Sequence, residues 1–507
     1  MTRLNLTGVD LSLKALTEFE SAHPQVQLAD NACRKMQASV DTVRRVIATQ
    51  RVCYGINTGF GALARQHIPR DQLIRLQYNL VRSHACGVGE ALPAAITRRI
   101  MLLKANSLAI GNSGIRPLVV ETLLTLLNRD VLPVIPARGS VGASGDLAPL
   151  AHLALALIGE GEALHGGKLL QGGEVLTAAG VKPVQLEAKE GLALLNGTQV
   201  SAALAIEGLL QARIALLSSI VIGALTVESL AGSYSPFDAR VHTARNLPGQ
   251  IRVAELFRSL LTGSEIWQAH QDCDRVQDPY ALRCMPQVYG AVWDTLAHAA
   301  EVLGRECNSV SDNPLIFGED VLSGGNFHAE PLAFVADFMA IAATELGNIS
   351  ERRTDLLLKR TNPRLEMFLA REPGVESGFM IAHVTAAALA SENKTLAHPA
   401  SADTIPTSAG QEDHVSMAPW AGLKLLAILD NVYRILAVEA LAAAAGIDAQ
   451  RPLKTTVELE TIHALLRKHA APYTGDRRLD TDIRRTAREL AAGALADCLP
   501  ADIAALL

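Results

Sequence analysis

The sequence predicts a mainly α-helical protein, with few short strands, built around a long bundle of helices. Five long segments rich in alanine and leucine are apolar on most faces, at residues 194–230, 288–305, 331–359, 382–395 and 419–445. Such helices cannot face water, so we expect them to form the core of a bundle. Hydrophobic residues make up 49% of the chain and charged residues 19%, which agrees with a large buried core.

The elements before the bundle are shorter. Residues 34–50 and 70–84 have the spacing of amphipathic helices, and the stretch YGINTGFGALARQHIP between them contains glycines and a proline typical of a loop, here a candidate lid. The stretch KLLQGGEVLTAAGVKPVQL, at residues 168–186, predicts a small hairpin or a set of turns rather than a sheet. Polar loops connect the bundle segments, and loops on a rigid scaffold are where functional residues concentrate.

Length and charge restrict the partners. A chain of 507 residues is too long for one ordinary core, and its low charge content favours a homo-oligomer with large buried interfaces. The net charge is -6 and no run of lysine and arginine occurs, which argues against nucleic acid or an anionic membrane as the main partner.

The N-terminus and the lengths of the apolar runs predict a cytoplasmic protein. The N-terminus, MTRLNLTGVDLSLKAL, lacks the basic start and continuous apolar stretch of a secretory signal. Apolar runs such as Ile214–Val227 are shorter than the roughly 18 residues that cross a bilayer.

Cysteine and histidine spacing does not indicate a metal centre. The seven cysteines are odd in number and contain no CxxC pair, which is typical of reduced thiols rather than of disulfides or a zinc site. The motif HExxH is also absent from the sequence, so we expect no bound metal.

A glycine-rich loop, GSVGASGDLAPLAH, begins at Gly139 and leads into an apolar helical pattern. It has three readings. A phosphate-binding loop needs GxGxxG or GxxxxGK[ST], whereas these glycines are spaced GxxGxxG and no lysine follows. Ser144 or Asp146 can simply cap the helix that follows. The third reading is a change in the backbone itself.

In that third reading Ala143, Ser144 and Gly145 form a ring. The amide nitrogen of Gly145 attacks the carbonyl carbon of Ala143, which is unobstructed because glycine has no side chain. Ser144 then loses its hydroxyl as water, giving 4-methylideneimidazole-5-one, an electrophile of a kind that protein side chains do not provide.

Eight motifs occur in order between about residue 50 and residue 420. They are YGINTGFG (54–61), SHACGVG (83–89), GSVGASGDLAPLAH (139–152), LLNGTQ (194–199), QDPYALRCMPQ (277–287), SDNPL (311–315), GGNFHAEP (324–331) and QEDHVSM (411–417). With these motifs the chain resembles the aromatic amino acid ammonia-lyase family, most closely the members that act on histidine.

The resemblance implies an architecture, a cofactor and a partner. It implies a mainly helical subunit with an N-terminal domain, residues 1–200, that carries the lid loop and the electrophile loop. Residues 201–507 would form a long central antiparallel bundle and C-terminal helices. The cofactor would be 4-methylideneimidazole-5-one made from Ala143, Ser144 and Gly145, with no external cofactor, and the subunits would form a homotetramer with shared active sites.

The resemblance also implies roles for single residues. Tyr54 corresponds to the lid tyrosine, the candidate general base for the substrate β-proton. Arg283 can donate two hydrogen bonds to the substrate carboxylate, with Tyr280 and Gln277 completing that wall, whereas an interface salt bridge is the alternative role for the arginine. Asn196 corresponds to the asparagine near the ring and the carboxylate, and its alternative role is a helix cap.

Substrate choice depends on another group of residues. A carboxylate at Glu412, beside Gln411, can pair with an imidazole, and His84 belongs to the Ser-His pair of the histidine branch. Phe327 corresponds to the phenylalanine that shields the electrophile. For Tyr54, His84 and Phe327 the alternative is ordinary packing.

Two positions depart from the pattern expected of the bacterial members. Gly410 stands where an asparagine often precedes the glutamine, and Glu376 stands where we expect an asparagine. Gly410 is close in sequence to Glu412 and could loosen its placement.

The implied reaction is non-oxidative elimination of ammonia from L-histidine to give trans-urocanate, the first step of histidine degradation. A tyrosine or phenylalanine ammonia-lyase, or an aromatic 2,3-aminomutase with the same electrophile, is the alternative enzyme. A helical scaffold without the ring is the alternative outside enzymes, and a nucleotide-binding module is the weakest reading.

Overall fold

Helices make up most of this computed structural model, which describes residues 3–270 and 276–499. The predicted mainly helical class with few short strands is confirmed. The chain divides into two compact units: Met1–Glu207 with Ala300–Ala336 and Pro399–Leu423, and Gly208–Ala299 with Asp337–His398 and Lys424–Leu507. The first break lies close to the predicted boundary at residue 200, but the two later segments of the first unit were not anticipated. The boundary between domains stays a prediction.

The first unit combines short helices with short strands. Its helices are α1 (Leu13–Ala22), α2 (Asp30–Ala48), α3 (Leu73–His84), α4 (Ala94–Ala109), α5 (Pro117–Asn128), α6 (Leu147–Ile158), α7 (Gly173–Ala179) and α8 (Glu190–Leu195). Its strands are β1 (Arg3–Leu6), β2 (Gln25–Leu28), β3 (Val88–Ala91), β4 (Leu132–Pro133), β5 (Pro136–Arg138), β6 (Glu162–His165), β7 (Lys168–Gln171), β8 (Leu315–Phe317) and β9 (Asp320–Leu322). Strands β1 and β2 are parallel, and the pairs β3–β5 and β8–β9 are antiparallel.

The prediction of a hairpin or turns rather than a sheet at residues 168–186 is only partly right, because β7 pairs with the preceding strand β6 and belongs to a small sheet. Strand β7 pairs with β6 in an antiparallel hairpin, with Leu164 opposite Leu169, and β4 adds a third strand to this small sheet. The following residues form helix α7 instead of a further turn, because Val175, Leu176 and Ala179 lie on one face and are buried together.

The remaining helices include the predicted bundle. In chain order they are α9 (Gln199–Ser229), α10 (Ala239–Arg245), α11 (Pro248–Leu261), α12 (Glu265–Gln268), α13 (Tyr280–Arg283), α14 (Met285–Glu306), α15 (Glu330–Leu357), α16 (Met380–Leu396), α17 (Ala418–Gln450), α18 (Val457–His469) and α19 (Asp480–Ala491). Helices α9, α14, α15, α16 and α17 match the five predicted apolar segments to within about five residues at each end, the usual precision of boundaries.

Neighbouring long helices in the second unit run in both directions. The ring of Tyr289 on α14 faces Arg353 on α15 at 5.6 Å, and His298 faces Phe338 at 6.5 Å, so these two helices are antiparallel. Helix α17, in contrast, runs in the same direction as α15, because Asp337 pairs with Lys424 and Arg353 pairs with Glu439. The bundle is therefore antiparallel between α14 and α15 and parallel between α15 and α17.

A buried ion pair joins two of these helices. Arg353 donates from Nε and Nη2 to the two carboxylate oxygens of Glu439, at 2.5 and 2.7 Å, and both side chains are fully buried. Thr226 and Ser350 donate hydroxyl hydrogen bonds to the same carboxylate, at 2.6 Å each. The remaining acceptor capacity of the buried charge is thus filled, as a stable interior ion pair requires.

Two helices are longer and more apolar than the lengths of the apolar runs in the sequence had indicated. Helices α9 and α15 have the length and composition to cross a membrane, because the interruptions in their apolar runs still leave a window of sufficient length. Most of each window, 78% in α9 and 67% in α15, is buried inside the chain. Such burial is typical of core helices. Burial, rather than length, therefore identifies α9 and α15 as core helices.

The cysteines of the described residues are free thiols, as predicted. Cys33, Cys53, Cys86, Cys284, Cys307 and Cys498 form no disulfide with one another. Cys273 lies outside the described residues.

Candidate active site

The Ala143-Ser144-Gly145 loop connects β5 to α6 in the first unit. Ala143 and Gly145 are buried, and Ser144 is half-buried. Gly145 has a φ of 73°, in the region that favours glycine, and a Cβ at this position would lie 2.3 Å from the carbonyl oxygen of Gly197. Both the conformation and the close approach therefore require glycine here.

Asp146 does not act as the helix cap that one reading of the loop assigned to it. It occupies the N-cap position of α6, but its side chain makes no capping hydrogen bond there. Instead its carboxylate accepts hydrogen bonds from the Ser201 backbone N–H at 2.7 Å, the Ser201 hydroxyl at 2.9 Å and the Ser140 hydroxyl at 3.2 Å. Ser201 is in the first turn of α9, where an anion is favourable, yet burial raises the pKa of Asp146 to about 6.

The segment Asn196-Gly197 holds the loop on both sides of Gly145. The side-chain amide of Asn196 donates to the Ser144 carbonyl at 3.2 Å, and the Asp146 backbone N–H donates to the Gly197 carbonyl at 2.7 Å. Asn196 follows α8, but its side chain bonds to the loop rather than to that helix. Within the described part of the chain, the buried Oδ1 atom of Asn196 has no hydrogen-bond partner.

Glu412 reaches the same loop from a distant part of the sequence. Its Oε1 atom accepts a hydrogen bond from the Ser144 hydroxyl at 2.8 Å. Its Oε2 atom accepts one from the Thr407 hydroxyl at 2.7 Å, and the Thr407 backbone N–H donates to the Glu412 carbonyl at 2.9 Å. The carboxylate is therefore fixed in place at the Ala143-Ser144-Gly145 loop.

His84 is the last residue of α3 and is half-buried. Its Nδ1 atom is 3.0 Å from the hydroxyl of Ser83. Burial lowers the pKa of His84, while its hydrogen bond to the Leu80 backbone carbonyl and the charge of Glu412 act in the opposite direction. A neutral imidazole close to Glu412 can offer both a donor and an acceptor to a ligand.

Two further residues of the motif QEDHVSM support the loop, and neither was predicted to do so from the sequence. The backbone N–H of Met417 donates to the Val141 carbonyl at 2.9 Å, and the Ser416 hydroxyl donates to the Gly142 carbonyl at 3.3 Å. The motif itself was the signal, but contacts to backbone carbonyls leave no chemical signature in a sequence.

Tyr54 lies at the start of the candidate lid, and the base of this loop is well packed. Its hydroxyl accepts a hydrogen bond from the Gly61 backbone N–H at 3.3 Å. Asn57 accepts from the Cys53 N–H at 2.8 Å, which closes the turn, and Ile56 is completely buried in a small apolar cluster. Movement of this loop as a lid stays a prediction.

Phe327 and Gln411 lie on two loops that meet. Phe327 is half-buried in the loop before α15, and its neighbour His328 stacks on His414 with ring centroids 5.5 Å apart. Gln411 is exposed and precedes Glu412. The structure thus brings the loop of Phe327 to the segment that carries Glu412.

The same two loops form a group that the cysteine and histidine spacing did not reveal. Ligand-type atoms of His328, Glu330 and His414 lie within 4.8 Å of one another. The expectation of no metal rested on sequence motifs alone, and such motifs cannot detect residues that only the fold brings together.

Gln277, Tyr280 and Arg283 belong to the second unit. Gln277 is exposed, as is Tyr280 with 71% of its surface accessible. The guanidinium carbon of Arg283 lies 4.6 Å from the centre of the Tyr280 ring, and its Nε atom donates to the Asp278 carbonyl at 2.9 Å. Arg283 and Tyr280 therefore form a stacked pair at the surface, and the interface salt bridge considered for Arg283 stays an alternative prediction.

The two departures from the expected pattern have local explanations. Gly410 has a φ of 82° in a turn where Ser408 and Ala409 also have positive φ values, so glycine fits the turn. Glu376 accepts a hydrogen bond from the Arg371 backbone N–H at 2.8 Å and closes another turn. Glu412 keeps its contact with Ser144 despite the glycine at 410.

The fold and this site together define a mainly helical carbon–nitrogen lyase. The chain matches the aromatic amino acid lyase family over residues 11–468 and belongs to that family. The predicted family is confirmed.

Relatives of known name agree over nearly the full length. A histidine ammonia-lyase of Idiomarina loihiensis is 51% identical over 499 residues, which are 98% of each chain. The crystal structure of a histidine ammonia-lyase from Trypanosoma cruzi superposes with a TM-score of 0.91 at 40% identity, covering 99% of this chain and 97% of that one. A tyrosine aminomutase from Streptomyces globisporus superposes equally well, with a TM-score of 0.91 at 34% identity and 98% coverage of both chains.

Proposed function

We propose that this protein eliminates ammonia from L-histidine without oxidation and releases trans-urocanate, the first step of histidine degradation. The observation that carries the substrate assignment is the carboxylate of Glu412, which lies 2.8 Å from Ser144 Oγ and is fixed by Thr407. A fixed carboxylate at the reactive loop can pair with an imidazole, whereas an apolar ring would leave it without a partner. The relatives named histidine ammonia-lyase support the same substrate.

The proposal includes a ring formed by Ala143, Ser144 and Gly145, and the residues present fit it. The glycine at 145 leaves the amide nitrogen unobstructed, and the segment Asn196-Gly197 lies close against the loop. The unpartnered Oδ1 atom of Asn196 supplies a buried acceptor beside the loop. When formed, 4-methylideneimidazole-5-one supplies the electrophile that no side chain provides, so no external cofactor is needed.

The side chains around the loop bind the substrate and move its protons. Tyr54, from the lid loop, would take the β-proton of the substrate as general base. His84 and Glu412 would bind the imidazole, with Gln411 beside them. Asn196 would orient the groups next to the loop, and Phe327 would exclude water from it.

Binding of the substrate carboxylate falls to Arg283, with Tyr280 and Gln277 beside it. A guanidinium presents two parallel donors to a carboxylate, a geometry that lysine lacks. Because Tyr280 is exposed on its own chain, we propose that these residues face the Ser144 loop of a neighbouring subunit in a homotetramer. The proposed tetramer is cytoplasmic, and its partners are the amino acid and its own subunits, with neither nucleic acid nor membrane involved.

A second candidate is a related reaction at the same electrophile. The similarity to the tyrosine aminomutase of Streptomyces globisporus favours an aromatic 2,3-aminomutase, or a tyrosine or phenylalanine ammonia-lyase, as the alternative. An aminomutase returns the ammonia to the product, so its product is a β-amino acid. Glu412 argues against this candidate because tyrosine and phenylalanine lack the imidazole.

The test is a substrate panel. The purified protein is mixed separately with L-histidine, L-tyrosine and L-phenylalanine, and the near-ultraviolet absorbance of each conjugated acid is followed. The variant Ser144→Ala is the matched control, since it keeps the fold and removes the hydroxyl that the ring loses. Products are also analysed for β-amino acids.

We expect urocanate from histidine alone and no activity in Ser144→Ala. A cinnamate-type acid or a β-amino acid would overturn the substrate assignment but keep the chemistry. Activity that survives in Ser144→Ala would overturn the assignment of the electrophile to the ring formed by Ala143, Ser144 and Gly145.

A further inference from the structure

A lysine behind the reactive loop has no place in the reaction described so far. Lys104 lies in the middle of α4 and only 1% of its surface is accessible. Burying a lysine is costly, and burial lowers the pKa of Lys104 to about 7, although the charges of Asp312 and Asp146 counteract the shift. An apolar residue would ordinarily occupy such a position, so the lysine needs an explanation.

Its hydrogen bond leads to the active site. The Nζ atom of Lys104 donates to the backbone carbonyl of Asn196 at 2.6 Å. Lys189 is a second buried lysine, and its charge acts on Lys104. It instead forms an ordinary ion pair with Asp312 at 2.7 Å. Lys104 is thus directed at a neutral carbonyl of the segment that holds the loop.

That carbonyl belongs to the peptide between Asn196 and Gly197. On its other side the same segment makes two hydrogen bonds to the loop. The Asn196 side chain donates to the Ser144 carbonyl, and the Gly197 carbonyl accepts from the Asp146 N–H. These two contacts flank Gly145, whose backbone lies so close to Gly197 that a Cβ would clash at 2.3 Å. A shift of the Asn196-Gly197 peptide would therefore shift Gly145.

We propose that Lys104 is a positioning residue for ring formation, acting through the Asn196-Gly197 peptide to hold Gly145 against Ala143. This inference rests on the proposed function, because it presupposes that the ring forms. Ring closure joins the Gly145 nitrogen to the Ala143 carbonyl carbon and releases the Ala143 oxygen as water with the amide hydrogens of Gly145 and Ser144. Ser144 then releases its hydroxyl and its Cα hydrogen as a second water, so atoms balance without an oxidant or reductant.

The experiment measures the intact mass of the full chain. Each water lost is visible in the mass, so unmodified, half-processed and fully processed chains are counted separately in Lys104→Met and in Lys104→Arg. The control is Lys424→Met, because Lys424 is also buried and donates to a backbone carbonyl, that of His398, at 2.7 Å; it removes an ion pair with Asp337 as well and is the harsher change. Near-ultraviolet absorbance of the ring is recorded against Ser144→Ala, and circular dichroism gives the folded fraction.

In folded Lys104→Met we expect the rate of ring formation to fall about tenfold, as expected when a buried carbonyl loses its partner. Lys104→Arg should recover part of that rate, because it keeps a cationic donor. Lys424→Met should lose both waters like the wild type.

Wild-type rates of water loss in Lys104→Met would overturn the inference and leave the proposed function intact. A wild-type chain of unmodified mass would instead overturn the proposed function. If Lys104→Met does not fold, Lys104→Gln replaces it as a neutral, shorter donor, and slower ring formation supports the inference while the wild-type rate contradicts it.

Discussion

Replacing Glu412 by glutamine tests whether the carboxylate at the loop selects the imidazole substrate. Thr407 holds Glu412 Oε2 at 2.7 Å, and this contact remains after ring formation removes the Ser144 hydroxyl that lies 2.8 Å from Oε1, so the shape of the site should survive a change to an amide of the same size. The change removes the charge and keeps hydrogen bonding. Hydrogen bonds to a charged group are roughly twice as strong as neutral ones, so we expect a loss of about 1.4 kcal/mol, or about tenfold in kcat/KM for L-histidine.

The assay compares kcat/KM for L-histidine with that for L-phenylalanine in the wild type and in Glu412→Gln. L-phenylalanine cannot pair with a carboxylate, so any slow reaction with it should be unchanged or faster. Asp413→Asn is the matched control, since it removes one negative charge from the exposed adjacent position. An equal loss with both substrates in Glu412→Gln, or the same loss in Asp413→Asn, would refute the reasoning.

Three further predictions concern other parts of the molecule. Arg353→Met leaves Glu439 buried without its partner and should lower the free energy of unfolding by about 3 to 5 kcal/mol in denaturant titrations, whereas Arg434→Ala in an exposed pair should cost about 0.5 kcal/mol; equal losses would contradict this. Arg283→Lys keeps the charge but removes the paired donors, so KM for L-histidine should rise about tenfold in steady-state kinetics, and an unchanged KM would count against the assigned role. Because the pKa of Lys104 is about 7 in the folded chain and roughly 10.4 in an unfolded one, the unfolded state binds more protons between these values. The free energy of unfolding of the wild type relative to Lys104→Met should therefore rise with pH across this window, and parallel pH profiles would refute the assignment.

The helices were predictable because their signal is local. The segment 331–359 is apolar enough to require burial wherever it lies, and the structure has α15 at Glu330–Leu357. The lid stretch was equally clear as a loop, since its glycines and proline interrupt helical spacing. What the pattern could not give was the direction of packing, because α15 and α17 are parallel through contacts between residues far apart in the chain.

The contacts among the candidate site residues could not be predicted from the sequence. Glu412 could be named from its motif, but its hydrogen bond to Ser144 joins residues 268 positions apart, a separation at which spacing carries no geometry. Asp146 was misjudged for a related reason. An aspartate before a helix is typically a cap, but here Ser201 in the first turn of α9 donates two hydrogen bonds to the carboxylate and Ser140 donates a third.

Lys104 shows the limit most clearly. Helix α4 contains three basic residues, Arg98, Arg99 and Lys104, and their spacing in the sequence does not show which partner each one takes. Only the fold shows that its ammonium group reaches the Asn196 carbonyl behind the reactive loop.

The intact mass of the purified wild-type chain, compared with that of Ser144→Ala, tests most directly whether the backbone supplies the electrophile. The account predicts a wild-type chain lighter than its sequence by two waters, and a Ser144→Ala chain that cannot lose the second. A wild-type chain with the unmodified mass would contradict the central claim, because the loop would then be an ordinary helix entry.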